Sequence, residues 1–210
     1  MANDIYSALK DGIVENEEIV SKFSSSRWSA VQTTTNLGIC MFVPEADSYS
    51  FARINAYYNR GTDYYEPFDN YCTTGLDFYG KTVGVIGHLA EVKRRHGKDA
   101  KKIYYFELNP KDEEDLSADL EDVYLPDCDI VVITGSALVN GTLQHILDIS
   151  QKAYKILVGP SVPKCSALLD FGIDRLAGMS VRDAELLTSH IKNDKEGTPY
   201  IYGNPFLIKK

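Results

Sequence analysis

The chain is poor in the residues that announce a cross-linked or membrane-borne protein. Its four cysteines, Cys40, Cys72, Cys128 and Cys165, lie scattered with no C-x-x-C pair, which excludes a disulfide framework or a zinc finger. Reduced thiols suit a cytoplasmic setting. No apolar run approaches the roughly 20 residues that cross a bilayer, so no membrane partner is expected. The opening MANDIYSALKDG is acidic and lacks an apolar core, so no signal peptide is expected either. Positive charge is in deficit, 22 basic against 30 acidic residues for a net charge of −8. Such a surface repels phosphate backbones, and nucleic acid is not expected as a partner. There is no H-x-x-x-H, catalytic triad, nucleophile elbow, internal repeat or low-complexity tract. A Ser–His–Asp hydrolase is therefore not supported. A homo-oligomer is left open.

What is present is a strand–helix alternation. With 44% hydrophobic residues in 210, a substantial core is available. From Lys81 onward, Thr82–Gly87, Ile103–Leu108, Asp129–Thr134, Lys155–Gly159 and Arg175–Val181 read as five strands. The first four are nearly continuous apolar runs, the pattern of parallel strands covered on both faces. Helices are predicted over Ala90–Lys98, Leu116–Tyr124, Leu143–Lys152, Ser166–Phe171 and Asp183–Lys192. Leu143, Ile146, Leu147 and Ser150 fall on one helical face. Alternation with right-handed crossovers gives an α/β fold, a Rossmann-like doubly wound parallel sheet, with default strand order 3-2-1-4-5.

The first 80 residues follow another pattern. Asp4–Ile13 spaces as a short amphipathic helix opening at Asn3 or Asp4. Ile19–Ser25, Trp28–Thr34 and Leu37–Val43 read as an antiparallel meander with turns near Ser26 and Asn36. Phe51–Asn59 reads as a helix, and residues 61–79 as an irregular linker. The expected division is a smaller N-terminal α+β domain over 1–76 and a Rossmann-like domain over 77–210.

In open parallel sheets ligands bind outside the carboxyl ends of the strands, where the strand order reverses. Those ends carry Gly87 and His88, then Glu107 and Asn109, then Thr134, Gly135 and Ser136, then Gly159, Pro160 and Ser161. Asn140, Gly141 and Thr142 precede the third helix. The hydroxyls and Asn140 sit where helices begin and free N–H groups invite an anion or a capping side chain. Thr142 is placed to cap Leu143–Lys152, which would leave the Asn140 amide free for a ligand.

A dinucleotide is the obvious occupant, and Glu107 stands 20 residues past Gly87, as a ribose-binding acid would. The glycine fingerprint fails, because Leu89 and Val92 occupy positions that need small residues, so no classical NAD or FAD site is expected. His88, at the mouth of the crevice, is a candidate metal ligand or acid–base. Cys165 follows Pro163 at a predicted helix start, a place that favours thiolate. Cys40 and Cys128 read as core, and His96, His145 and His190 as surface residues.

VGVIGHL, LPDCDIVVITGSALVNGTL and LVGPSVPKCSALLDFGIDRLAG together resemble the C-terminal domain of the heavy-metal chelation family, largely uncharacterised prokaryotic proteins. The agreement covers about 75 to 185. SRWSAV, LGICMF and ARINAYYN extend it less sharply to the N-terminal half. The resemblance implies an enolase N-terminal-like first domain and a site in the cleft between the domains. Carried over by position, it implies His88, Glu107, Thr134, Asn140, Thr142 and Ser161, with Arg27 and Asn55, as ligand-binding residues. The family pattern usually has Thr where this chain has Val162, which removes one oxygen donor.

Two functions are consistent with this pattern. One is a metal-binding protein in which His88, Glu107 and Cys165 present nitrogen, oxygen and sulfur donors to a divalent transition-metal ion. The other is an enzyme for a small anionic or nucleotide-like metabolite, gripped by helix N-termini at Ser136, Thr142 and Ser161.

Overall fold

The computed structural model describes residues 4–13, 17–61 and 72–210. The predicted cap at Asn3 and the linker residues 62–71 lie outside them. Helix α1 (Ile5–Asp11) is capped by Asp4, whose carboxylate accepts from the Ser7 amide at 2.8 Å. Strands β1 (Ile19–Ser24), β2 (Trp28–Thr33) and β3 (Leu37–Met41) form the predicted antiparallel meander in the order β1-β2-β3. The turn near Ser26 closes because the Ser25 hydroxyl accepts from the Trp28 amide at 3.1 Å. Helix α2 (Ser48–Tyr58) starts three residues before its apolar spacing suggests, since Asp47 accepts from the Ser50 amide at 3.2 Å. It lies directly on β3, so close that a Cβ on Gly38 would collide with the Ala52 carbonyl and the Ala56 amide. Only glycine permits that approach.

The second sheet is built by β4 (Thr82–Ile86), β5 (Lys102–Glu107), β6 (Asp115–Ser117), β7 (Ile130–Thr134), β8 (Tyr154–Val158), β9 (Arg175–Val181) and β10 (Gly203–Lys209). Helices α3 (Ala90–His96), α4 (Glu121–Tyr124), α5 (Ser136–Val139), α6 (Leu143–Ile149) and α7 (Ala184–Lys192) connect them. Its order is β10-β9-β8-β7-β4-β5-β6, parallel throughout except for the antiparallel edge strand β10. The five strands predicted from sequence therefore do not run 3-2-1-4-5 among themselves. That order appears once β6 is counted as the third strand. The sequence text gives β6 to a helix, because three residues, Asp-Leu-Ser, are too few to show a period. Val83, Val85, Val131, Val132, Ile156 and Leu157 are all fully buried, as expected for strands covered on both faces.

Two other local expectations change. His190 is 2% exposed rather than on the surface, because α7 lays its inner face against the meander. His96 is half-buried, stacked on Phe78 at 3.8 Å and bonded to the Thr73 hydroxyl at 3.1 Å. Among the described residues, no helix is long and apolar enough to cross a membrane.

The meander and α2 sit over one half of the strand-end edge of the large sheet. The Met41 amide donates to the Ser161 hydroxyl at 2.8 Å. The Asn55 amide donates to the Ile39 and Ser161 carbonyls at 2.7 and 3.0 Å. Asn59 donates to the Val162 and Met179 carbonyls, both at 3.0 Å, and accepts from the Lys164 amide at 2.6 Å. In addition, β3 packs against α5, the helix that follows β7. The ends of β7, β8 and β9 are thus covered, and among the described residues no other layer lies over those of β4, β5 and β6.

Candidate functional site

The topological switch lies between β4 and β7, from which the chain proceeds outward in opposite directions. Here Gly87, at φ 89°, passes so close to β7 that a Cβ would stand 2.8 Å from the Thr134 methyl. That close approach sends His88 out of the end of β4 with its ring exposed. The open half then assembles around it. His88 Nδ1 lies 3.7 Å from an Asp112 carboxylate oxygen. His88, Asp112 and Asp115 each offer one ligand atom, and these atoms all lie within 4.8 Å of one another. They form the wall of a cavity of about 360 Å³ that Glu107, Asn109 and Lys111 complete.

The residues 108–114 that join β5 to β6 fold back on Asp115. One Asp115 oxygen accepts from the Lys111 and Asp112 amides, both at 3.0 Å. Those amides hold the Asp115 carboxyl below the usual range, and they orient it while leaving its second oxygen available. Glu107 is pushed the other way, first by burial and then by the Asp115 charge. One imidazole and two carboxylates converging in a small cavity can hold a divalent cation.

The other sequence-derived candidates fall elsewhere. Thr134 and Ser136 share a hydroxyl–hydroxyl bond of 3.2 Å. Asn140 Oδ1 accepts from the Thr142 amide at 3.1 Å and its hydroxyl at 2.9 Å. Thr142 makes no capping bond to α6, so the expected cap is not formed, and Asn140 commits its oxygen, not its amide nitrogen, to the turn. Gly141, at φ 83°, completes that turn. Ser161 and Asn55 are 3% and 1% exposed, with the partners given above. Arg27 reaches the Lys195 carbonyl at 2.7 Å, beyond the end of α7. Cys165 is buried in the core, next to the Tyr58 hydroxyl, at the start of a 3-10 turn over Ser166–Phe171. It is not in the His88 group. Asp112 and Asp115 escaped the sequence reading because they stand in a charged connection, NPKDEEDLS, with no strand-end signal. Their spacing around a missed strand was the only available clue.

An α/β protein with a doubly wound, mostly parallel sheet, a smaller antiparallel sheet and a nitrogen–oxygen donor group at open strand ends is thereby defined. The model of the DUF364 family, described as "Putative heavy-metal chelation", matches residues 75–200, and the chain belongs to that family. An uncharacterized protein of Methanocaldococcus jannaschii is 34% identical over 117 residues, 53% of this chain and 45% of that one. The match thus spans less than half of that relative's length. Two crystal structures of family proteins of unknown function share the fold. The one from Desulfitobacterium hafniense aligns with a TM-score of 0.86 at 24% identity, over 98% of this chain and 97% of the other. The one from Pyrococcus horikoshii aligns at 0.79 and 22%, with the same coverage.

Proposed function

We propose that this protein binds a divalent transition-metal ion as cargo at the open strand ends, through His88, Asp112 and Asp115, with Glu107 closing the cavity. The observation that carries this reading is the convergence of the three donors within 4.8 Å. The family description supports a metal. The donor set favours the first-row divalent ions from manganese to zinc, which imidazole and carboxylate suit. Sulfur-seeking ions fit poorly. Burial pushes the Cys40 and Cys128 thiols up to about 12 and Cys72 up to about 11. None of the four cysteines stands in the His88 group, which offers nitrogen and oxygen donors alone. The two amides that fix Asp115 act as outer-shell partners, which orient a ligand before the ion arrives.

A small anionic metabolite finds less support. The Ser136 and Thr142 hydroxyls donate to Thr134 and Asn140, and the Ser161 hydroxyl accepts from Met41. The hydroxyls at the helix starts are therefore engaged within the protein.

Titration with Zn²⁺, Ni²⁺ and Mn²⁺ by calorimetry tests the proposal. His88→Ala, Asp112→Asn and Asp115→Asn should each weaken binding by about tenfold or more, with circular dichroism unchanged. Affinities equal to the parent's in all three would remove the ion from this place.

A further inference from the structure

A second cavity, of about 600 Å³, lies in the seam between the α1–α2 layer and the turn joining α5 to α6. Its volume falls in the range of small-molecule sites, roughly 300–1,000 Å³. The walls are apolar, formed by Val43, Pro44, Ala46, Leu143 and the edge-to-face pair Tyr6–Phe51 at 5.0 Å. The charge around it has one sign. Asp4, Glu45 and Asp47 line it, and among the described residues no lysine, arginine or histidine does. Asp4 and Asp47 are committed as helix caps, and their bonds to Ser7 and Ser50 hold both carboxyls below the usual range. Lys10 and Lys22 lie near Asp47 from outside the cavity.

Glu45 differs from these two. Its exposed carboxylate has no partner among the described residues, and its backbone lies at φ 67°. That left-handed conformation is uncommon for a residue with a side chain. Across the cavity, Asn140 spends its side-chain oxygen on Thr142, while its amide nitrogen has no protein acceptor among the described residues.

We infer that the seam cavity binds a small organic cation, an amine or guanidinium on an apolar or aromatic body. Its charge faces Glu45, its body packs against Tyr6 and Phe51, and Asn140 donates to any acceptor it carries. Among the described residues, an anion would meet three carboxylates and no cation in the lining. The inference stands apart from the metal reading, because it uses none of the metal-site residues.

Three probes with one aromatic body test it on the full chain, phenethylamine, 2-phenylethanol and 3-phenylpropionate, followed by ligand-observed NMR and calorimetry. Phenethylamine should bind with a Kd at or below about 1 mM, the alcohol at least about fivefold more weakly, and the carboxylate more weakly still. Glu45→Gln should cost about tenfold in amine binding. Glu45→Gly should cost the same while melting no lower than the parent, since glycine relaxes the backbone. Ala46→Trp, which fills the cavity, should abolish binding with circular dichroism unchanged, and His88→Ala should leave it intact. The inference fails if the carboxylate binds as well as the amine, if Ala46→Trp or Glu45→Gln binds like the parent, or if the amine does not bind by about 10 mM.

Discussion

The ends of β4, β5 and β6 and those of β7, β8 and β9 belong to one sheet edge, and in sequence they carry the same kinds of residue. On the covered half, Ser161 and Asn59 turn their polar atoms, and Asn55 its amide nitrogen, to backbone groups of another layer, while the buried Asn55 Oδ1 has no partner among the described residues. On the open half, His88 and Asp112 keep their side chains more than half exposed and stand 3.7 Å apart in the wall of a cavity. The lesson is that a polar residue at a strand end acquires its role from what lies over it. A satisfied amide in the covered half contributes to stability, whereas an unsatisfied donor in the open half remains available to a ligand. Stability and metal binding should therefore separate cleanly between the halves.

The largest effect is expected at Asn59, which is 3% exposed. Asn59→Ala removes two donated bonds and one accepted bond, and it strands buried partners. It should cost about 3 kcal/mol or more in urea unfolding, while the folded protein keeps the parent's metal affinity. A joint loss of stability and affinity would show that the halves are coupled.

A smaller effect of opposite kind belongs to Glu121, in α4, whose flanking Tyr124 packs on Tyr104 of β5 at 4.6 Å. Burial pushes the Glu121 carboxyl up to about 6. The folded state then holds a proton that the unfolded chain has already released, so stability falls as pH rises from about 4.5 to about 6. Glu121→Gln should flatten that slope and raise stability at pH 7 by about 1–2 kcal/mol, since one pKa unit is about 1.4 kcal/mol. A slope unchanged in the variant would assign it to another group.

Asn140→Ala should cost about 0.5–2 kcal/mol, the range of a lost helix-start bond. The Asn140 oxygen, not Thr142, holds the turn before α6. Thermal melting of this variant beside Thr142→Val separates the two, because Thr142→Val keeps the amide bond to Asn140 and should melt closer to the parent.

His190 gives the slightest and most specific signal on the covered half. Burial, then the Arg27 and Lys195 charges, push its imidazole below the ordinary range. The unfolded chain therefore takes up the proton first, so stability is full above about pH 6.5 and declines as pH falls below it. His190→Phe should remove that acid-side decline in pH-resolved unfolding. Persistence of the decline would place its origin elsewhere.

Much of the sheet was legible because buried parallel strands are written as continuous apolar runs. Thr82–Ile86, Ile130–Thr134 and, one residue earlier than read, Tyr154–Val158 stand where those runs place them. Strand β10 was not read, since Pro205 interrupts it, and proline is tolerated there only because the strand is an edge. At the site, His88 and Glu107 were visible as strand-end residues. Asp112 and Asp115 were not, because their place depends on β6 pairing with β5, a contact that three residues cannot advertise. The Ser161–Met41 bond joins residues 120 apart in sequence, so no local pattern could reveal that this hydroxyl faces protein.

X-ray absorption on the Zn²⁺- or Co²⁺-loaded protein tests the central claim most directly, because it reads the donor atoms themselves. The expected first shell holds an imidazole nitrogen and carboxylate oxygens at about 2.0–2.2 Å, with His88→Ala losing the imidazole signature. A sulfur shell near about 2.3 Å, or an imidazole signature that survives His88→Ala, would contradict it.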